Sequence, residues 1–312
     1  MNDTNTVKDK VDLEVDIQEL FLVIWGKKYQ ILLTTFVFAV ASIIYSLSLS
    51  NYFQSESILV SKDSSKSSSS LGQYSDLAAL AGFSLETGDN KVFETIEIIK
   101  SREFVKHLLS FENILPSLMA AKSYDKETNK LFFKEKIFNS SSNEWKGNSF
   151  RYGANKPSYL EVHKVYLSQL NIFQDKKSNF VNMSYEHISP TFARDFLLLI
   201  IREANNLMRQ RDLDESNNAI TYLKEEFNRT FLKEIKLSIQ SLIEFQLETQ
   251  MRAKISEEYS LSVLEPPYVP ELKSRPKRSL IVISFTLIGF IITSLSYLIF
   301  HFIKIKKDLK NQ

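Results

Sequence analysis

Two apolar stretches, one near each end of the chain, dominate the pattern of hydrophobic and polar positions. From Tyr29 to Ser55 no residue is charged, and Ile31–Leu49 is mostly apolar. From Ser279 to Ile303 there is again no Asp, Glu, Lys or Arg. Because about 20 apolar residues cross the ~30 Å hydrocarbon core of a bilayer, the pattern predicts transmembrane helices at residues 29–50 and 279–303.

The first stretch also has one feature of a cleaved signal peptide. Ala39-Val40-Ala41 has the small-x-small spacing of a cleavage site after a short apolar run. The apolar run continues past Ala41 to Leu49, and the polar leader before it is long for a signal peptide. The pattern therefore favours a retained membrane span.

The Lys and Arg residues near the ends of the two spans predict their orientation. Cytoplasmic loops are enriched in these residues, and short loops decide the orientation. The flanking cations are Lys27 and Lys28 before the first span, and Lys304, Lys306, Lys307 and Lys310 after the second. We therefore expect a two-pass protein of the bacterial inner membrane with both tails in the cytoplasm and the bulk of the chain in the periplasm. A second basic group, on the other side of the second span, opposes this orientation: Lys273, Arg275, Lys277 and Arg278.

The two tails are short. In the N-terminal tail, residues 1–28, Ile17, Leu20, Phe21 and Ile24 recur at the spacing of an amphipathic helix. The C-terminal tail, residues 304–312, is too short to fold as a catalytic or signalling domain. We therefore do not expect a receptor that carries its own cytoplasmic output domain, unless the output passes to another protein.

The region from 51 to 189 predicts an α/β base domain. Its pattern changes every ten to twenty residues, which is typical of short helices and strands. The predicted elements are a strand at Tyr52–Val60, a polar Ser/Lys loop at 61–70, a small-residue run at 77–82, a helix at Val92–Leu109, a loop-rich region at 123–156, and strands at Val165–Phe173 and Asn179–Tyr185 joined by a turn at 174–178.

Residues 190–262 predict a long helical hairpin. Ser189 and Pro190 are favourable at a helix start, and neither Gly nor Pro follows from Thr191 to Glu265. A single straight helix of that length would extend on the order of 110 Å, so the chain must reverse. Asn217-Asn218 and Asn228–Lys236 are the candidate positions.

An apolar stripe runs along this hairpin segment at an average spacing near that of an eleven-residue repeat. It consists of Ile220, Leu223, Phe227, Phe231, Ile235, Ile239 and Leu242. Such a stripe packs within the subunit in the simplest case. Since a slender hairpin has little surface of its own to cover it, part of the stripe could also pack between subunits.

The hairpin is followed by a final strand and a proline-rich connector, together residues 263–278. The strand is predicted at Tyr259–Leu264, where the polarity alternates. The four prolines of the connector, Pro266, Pro267, Pro270 and Pro276, predict an extended segment that leads into the second span. The predicted fold is therefore α+β: a small mixed sheet as base with a long helical hairpin, flanked by two transmembrane helices.

Composition excludes several kinds of functional site and predicts none. The net charge of +2 gives no electrostatic preference for nucleic acid, and the absence of Cys excludes thiolate metal sites, a Cys nucleophile and disulfides. The four His residues have no partner at metal-ligand spacing, and the chain contains no phosphate loop and no nucleophile elbow. We therefore expect neither an enzyme nor a metal or cofactor site. In the spans, Ser42-x-x-x-Ser46 and Gly289-x-x-x-Thr293 are small-residue pairs that would let helices approach closely.

This organisation resembles the Wzz-type chain length determinants, the polysaccharide co-polymerases of bacterial inner membranes. Four segments carry the resemblance: residues 16–28, residues 52–56, residues 242–253, and the proline-rich segment 263–270 with the basic anchor 275–280. The spans contain less glycine than is typical of that family.

The resemblance implies an α/β base, a long helical protrusion, and a homo-oligomeric ring without catalytic activity. Such proteins set the modal length of a lipid-linked surface polysaccharide, usually lipopolysaccharide O-antigen, together with a Wzy-type membrane polymerase. The polysaccharide itself is a second candidate partner. Some relatives carry a cytoplasmic tyrosine kinase after the second span. With no phosphate loop and nine residues after that span, the chain is expected to resemble the kinase-free class. Two alternatives remain: a sensor that signals through a separate cytoplasmic partner, and a periplasmic adaptor for export.

Overall fold

The computed structural model describes residues 24–61, 88–146 and 156–310. These residues form parts of two compact units: Met1–Leu49 with Arg275–Gln312, and Ser50–Ser274. The amphipathic positions Ile17, Leu20 and Phe21, the polar stretch after Ser61 and the small-residue run at 77–82 lie outside the described residues.

The unit Ser50–Ser274 is built on a four-stranded sheet in the order β6-β7-β1-β8. The strands are β1 (Phe53–Ser61), β6 (Leu170–Gln174), β7 (Val181–His187) and β8 (Leu261–Glu265). The register pairs Phe53 with His187, Leu170 with Tyr185, and Leu59 with Val263. The α+β class is confirmed, but the prediction of a mixed sheet is wrong. All three pairings are antiparallel, so β7 and β8 run in the same direction on either side of β1. The chain leaves the sheet at His187, beside Phe53, and re-enters it at Leu261, beside Ser61, at the other end of β1.

Helices cover this sheet around one hydrophobic core. They are α2 (Gly88–Lys100), α3 (Arg102–Leu108), α4 (Ile114–Ala120), α5 (Tyr159–Gln169), and the long pair α6 (Pro190–Arg229) and α7 (Lys233–Ile255). At the centre of the core, the rings of Tyr185 and Phe196 lie 4.8 Å apart and the ring of Tyr166 packs beside both. The Tyr166 hydroxyl donates to the carbonyl of Ile99, so this fully buried phenol has a partner.

Local capping explains two differences from the predicted elements. The helix predicted at Val92–Leu109 is two helices, because the Ser101 side chain caps the second one by accepting from Phe104 N–H. The strand predicted at Val165–Phe173 is helical up to Gln169 and becomes β6 at Leu170. Its β-branched and aromatic residues suggested a strand, but a capping box of Ser158 and Glu161 starts a helix there.

The region predicted to be loop-rich contains two small β-hairpins. One consists of β2 (Ala121–Asp125) and β3 (Lys130–Phe133), the other of β4 (Phe138–Asn139) and β5 (Glu144–Trp145). Asn129 and Asn143 take up the left-handed conformation at the turns, a role for which Asn is well suited.

A buried histidine fixes the junction between β7 and α6. His187 Nε2 donates to the carbonyl of Ser117 at 2.9 Å, and His187 Nδ1 accepts from Ser189 N–H at 3.1 Å. Ser189 in turn caps α6 by accepting from Phe192 N–H, and Pro190 occupies the first turn as predicted. Both ring nitrogens are thus used by a neutral imidazole, and burial lowers the pKa of His187 from 6.5 to about 4.

The second unit contains α1 (Lys28–Ser48) and α8 (Arg278–Lys310), which pack side by side. Both helices are long and apolar enough to cross a membrane, over Lys28–Ser48 and Arg278–Ile303. The predicted small residues lie where the two helices meet: Ser42, Ser46 and Thr293 are buried, whereas most large apolar side chains face outward. Thr34 and Thr293 are linked by a 3.3 Å hydrogen bond between their hydroxyls.

Gly289 is a point of close approach between α1 and α8. A Cβ atom at this position would lie 2.6 Å from Phe38 Cγ. We expect Gly289→Ala to separate the helices, since overpacking of this kind costs about 1–3 kcal/mol. Because the chain has no native Cys, the measurement is the rate of disulfide formation between Cys residues placed at Thr34 and Thr293, which should fall several-fold. Gly26→Ala is the matched control, because a Cβ there meets nothing within 4 Å. Equal rates in the two variants would contradict the packing.

His187 makes stability depend on pH. Its pKa of about 4 in the folded chain lies below its pKa of 6.5 in the unfolded chain, so the unfolded state binds the proton first. The contribution, about 3 kcal/mol, is present above pH 6.5 and is lost as the pH falls toward 4. We expect His187→Gln to lower the thermal midpoint of the full chain in detergent at pH 7, with the difference from the parent shrinking toward pH 4. A difference that stays constant over this range would refute the assignment.

Candidate functional site: the helical hairpin and the proline-rich segment

The hairpin of α6 and α7 is held at its root by one buried amide. Asn205 Oδ1 accepts from the backbone N–H groups of Ser260 and Leu261 at 2.8 and 2.9 Å, and its Nδ2 donates to the Leu261 carbonyl at 2.9 Å. The Asn205 side chain therefore pairs with the backbone where the returning chain enters β8. These hydrogen bonds fix the position along the chain at which β8 begins after α7.

A second polar contact lies about two helical turns further along α6. Asp212 Oδ2 accepts from Lys91 Nζ at 2.6 Å and from the Tyr259 hydroxyl at 2.5 Å, and the Lys91 ammonium lies over the Tyr259 ring. Burial raises the pKa of Tyr259 to about 12, and the hydrogen bond to Asp212 adds to the shift. Burial alone would lower the pKa of Lys91, but the Asp212 carboxylate outweighs it and raises this pKa. The cluster ties α2, α6 and the start of β8 together.

A third polar group lies on the side of α6 that faces α3. Glu203 accepts from His107 Nε2 at 2.9 Å and from Arg202 Nε at 3.0 Å. Burial raises the pKa of Glu203, but these two hydrogen bonds outweigh it and the net pKa lies below the usual value. The carboxylate therefore stays charged and paired, which is a structural role.

The reversal of the hairpin lies between α6 and α7, within the candidate range Asn228–Lys236. Thr230 and Leu232 have extended backbone conformations, and neither Gly nor Pro marks the turn. Further from the turn, Gln250 Nε2 donates to Asn217 Oδ1 at 2.7 Å across the two helices. Asn217-Asn218, the other candidate, therefore lies within a continuous helix.

The predicted apolar stripe is not one continuous face. Because the chain reverses at Thr230–Leu232, the α6 half and the α7 half of the stripe face each other: Leu223 packs with Ile239 and Leu242, and Phe227 lies against this cluster. Ile220 is buried as well. Phe231 at the turn is 95% exposed and Ile235 is 44% exposed. Most of the stripe therefore packs between the two helices of the hairpin. Phe231 and Ile235, which lie at or near the turn, remain exposed.

Helix α7 has a second apolar row that the sequence analysis missed. Leu247, Met251 and Ile255 follow one another at a spacing of four residues, and they are 45%, 61% and 79% exposed. This row points away from the buried positions Ile239, Leu242, Gln250 and Ala253. Exposed apolar rows of this kind mark protein contact surfaces. The row's spacing of four residues is the signal in the sequence that marks it.

The proline-rich segment continues β8 along β1 without a backbone ladder. Pro lacks an N–H donor, and strand pairing ends at Glu265. Instead, the buried hydroxyls of Ser57 and Ser55 donate to the carbonyls of Glu265 and Tyr268, both at 2.7 Å. Ser274 then donates its N–H to the Tyr52 carbonyl at 2.8 Å and its hydroxyl to Glu186. These serines were not singled out in the sequence.

The four predicted prolines differ in burial. Pro267 and Pro270 are buried, Pro266 is exposed and Pro276 is half-buried. Pro266, Pro267 and Pro270 therefore belong to the segment that runs along β1. The hydroxyls of Ser55 and Ser57 fix this segment on one side. A segment of fixed shape with alternating buried and exposed positions can present Pro266, Tyr268 and Val269 to a partner.

Nothing in the described ranges resembles a catalytic site. No group of three or more His, Asp or Glu that could hold a metal ion occurs among residues 24–61, 88–146 and 156–310. A shallow cavity of about 290 Å³ lies between α6 and α7, lined by Lys224, Phe227, Asn228, Gln240 and Ile243. Its polar lining consists of Lys224 and the amides of Asn228 and Gln240, so it contains no paired acid and base.

Comparisons with known proteins agree with the resemblance seen in the sequence. Residues 13–111 match the family model described as "Wzz: Chain length determinant protein", which confirms the resemblance over about a third of the chain. No curated protein matches the sequence.

Two solved structures show similarity to the chain. One is described as a full-length bacterial polysaccharide co-polymerase, with 12% identity, 93% of this chain and 98% of that chain covered, and a TM-score of 0.38. The other is a fragment of WzzB, a polysaccharide co-polymerase from Salmonella Typhimurium, with 14% identity, 72% and 100% coverage, and a TM-score of 0.30. With such low TM-scores, the fold rests on the contacts described above.

Replacing Asn205 should loosen the root of the hairpin. Asn205→Ala leaves two buried N–H groups and one buried carbonyl unpaired, each worth about 1–3 kcal/mol. We expect a loss of several kcal/mol in the free energy of unfolding, measured by denaturant titration of the full chain in detergent. Asn205→Asp keeps both acceptor contacts but loses the donor, and should be intermediate. Asn218→Ala, at an exposed position of the same helix, is the control. Comparable losses at 205 and 218 would show that the amide is not the anchor.

Proposed function

We propose that this chain is a non-enzymatic regulator of the modal length of a lipid-linked surface polysaccharide, with lipopolysaccharide O-antigen as the first candidate. The match of residues 13–111 to the chain length determinant model carries this proposal. The absence of a catalytic constellation in the sequence is consistent with it. Regulation then depends on surfaces rather than on a reaction centre, and the exposed surfaces are where the function is to be sought.

The proposed location is the bacterial inner membrane. The two membrane-spanning helices tether one folded unit at both its ends, since α1 precedes β1 and α8 follows the proline-rich segment. Lys27 and Lys28 lie at the N-terminal end of α1, and no charged residue follows them up to Ser55. The rule for flanking cations therefore assigns the N-terminal side of α1 to the cytoplasm. The unit Ser50–Ser274 is thereby proposed to lie in the periplasm.

The exposed α7 row supports assembly of many copies into a ring. Three large apolar side chains in a row, with Phe231 exposed at the turn, are costly to leave in water at about 25 cal/mol per Å². The other face of α7 already packs against α6, through the contacts of Ile239 and Leu242 with Leu223. We therefore propose that the row of Leu247, Met251 and Ile255 packs against a neighbouring copy, while the original stripe closes the hairpin itself.

The proposed partner of the assembly is a Wzy-type membrane polymerase. A protein without a reaction of its own can change the product length by changing how long the polymerase holds its substrate. The segment with Pro266, Pro267, Pro270 and Pro276 is the candidate contact, because it leads directly into the second span and has a fixed, partly exposed backbone. The polysaccharide itself is the second candidate partner of the same assembly.

The test combines gene deletion with matched variants. Deleting the gene should abolish the modal length of the surface polysaccharide on a gel, and the parent chain should restore it. A variant with Leu247→Gln and Met251→Gln should restore it poorly and should elute as smaller particles in detergent, because it loses apolar contact area between copies. The control, Glu248→Gln with Lys254→Gln, changes exposed polar positions of the same helix and should behave like the parent.

Two outcomes would contradict the proposal at different levels. An unchanged length distribution after deletion would reject the regulatory function. A restored modal length and parental particle size in the Leu247→Gln, Met251→Gln variant would retain the function and reject the α7 row as the contact between copies.

A further inference from the structure

The N-terminal end of the second span carries an unusual concentration of positive charge. Four of the six residues from Lys273 to Arg278 are Lys or Arg, and no Asp or Glu follows before Ile303. Arg275 and Lys277 are exposed and Arg278, the first residue of α8, is half-buried. These three residues, which we call the basic collar, therefore lie where the apolar helix meets water.

The collar works against the membrane orientation that the rest of the chain favours. The far end of the same span carries four lysines, Lys304, Lys306, Lys307 and Lys310, so the cations on its two sides are equal in number. Flanking cations bias a span toward placing them in the cytoplasm. Cations at the opposite end weaken that bias. The cations at this end of the span therefore do not serve its orientation.

We propose that the basic collar binds the phosphate groups of anionic phospholipid headgroups in the leaflet that surrounds the start of α8. Guanidinium groups match phosphate geometry with two parallel hydrogen bonds, and two of the three collar residues are Arg. The adjoining helix enters the hydrocarbon directly after Ser279, which places the collar at headgroup depth. Each Lys or Arg near an anionic bilayer surface strengthens binding about fivefold. This inference does not depend on polysaccharide length control.

The occupant is a phospholipid rather than a free anion because the site is open and continuous with the membrane. Exposed cations gain little from a single soluble phosphate in salt, where the Debye length is about 10 Å at 0.1 M. A lipid is held at the same depth by its acyl chains against α8, so its headgroup is presented at a high effective concentration. The two anion sources can therefore be separated by competition.

The experiment measures binding of fluorescent phosphatidylglycerol to the full chain in a neutral detergent. Arg275→Gln, Lys277→Gln and Arg278→Gln combined should weaken the binding on the order of 100-fold at that site, leaving any weaker contribution from other cations. The matched control changes three exposed lysines, Lys122→Gln, Lys126→Gln and Lys130→Gln, for the same loss of charge. A second variant, Arg275→Lys with Arg278→Lys, keeps the charge and should retain most of the affinity. Gel filtration and circular dichroism establish that each variant is folded.

Competitors and salt complete the test. Unlabelled phosphatidylglycerol should displace the probe, whereas phosphatidylcholine and soluble glycerol phosphate should not, and high salt should reduce the difference between parent and triple variant. Parental affinity in the triple variant, or an equal loss in the lysine control, would overturn the proposal. Displacement by phosphatidylcholine would show apolar contact alone. Displacement by glycerol phosphate at similar concentration would show a free-phosphate site instead.

Discussion

The hairpin depends on a single constraint: the chain that leaves the sheet after β7 must return to it beside β1. Between these two points lie α6 and α7, more than sixty residues that contain neither Gly nor Pro after the first turn. Asn205 meets the constraint by giving the returning backbone three hydrogen bonds inside the core. With its root fixed in this way, the hairpin can extend beyond the core and carry exposed apolar side chains.

The return of the chain to a position beside β1 also explains why β1 contains buried serines. Among the described residues, the β8 side of β1 has no neighbouring strand beyond the pair of Ile58 with Glu265, and the prolines that follow Glu265 cannot supply N–H donors to continue the ladder. In this sheet the buried hydroxyls of Ser55 and Ser57 donate to backbone carbonyls of the segment after β8. The serines therefore extend the contact beyond the end of the ladder. A proline-rich segment that would otherwise be mobile becomes part of the folded unit.

The sequence predicted what depends on long patterns and missed what depends on single contacts. The two apolar spans, the helix start at Ser189-Pro190 and the first strand were predictable because each repeats a signal over several residues or uses a strong capping pair. The position of the reversal was less predictable, since Thr230–Leu232 has no Gly or Pro and is fixed by packing of Leu223 against Ile239 and Leu242. The helix at Tyr159–Gln169 was missed because its β-branched and aromatic content competed with a capping box. Asn205 could not be identified at all, because its partners are more than fifty residues away in sequence.

The distribution of buried side chains along the hairpin divides it into two parts. Near the root, Met208 and Ala253 pack with Tyr259, and the Lys91–Asp212–Tyr259 cluster adds charged hydrogen bonds. Toward the turn, the interior contact is reduced to Leu223, Ile239 and Leu242 with two partly buried neighbours. An element with so few buried apolar contacts opens locally at low free-energy cost. Contact with further surface would therefore stabilise the outer part much more than the root, since the root is already packed. If the function involves a partner or a second copy, the outer half of the hairpin is where binding and local stability are coupled.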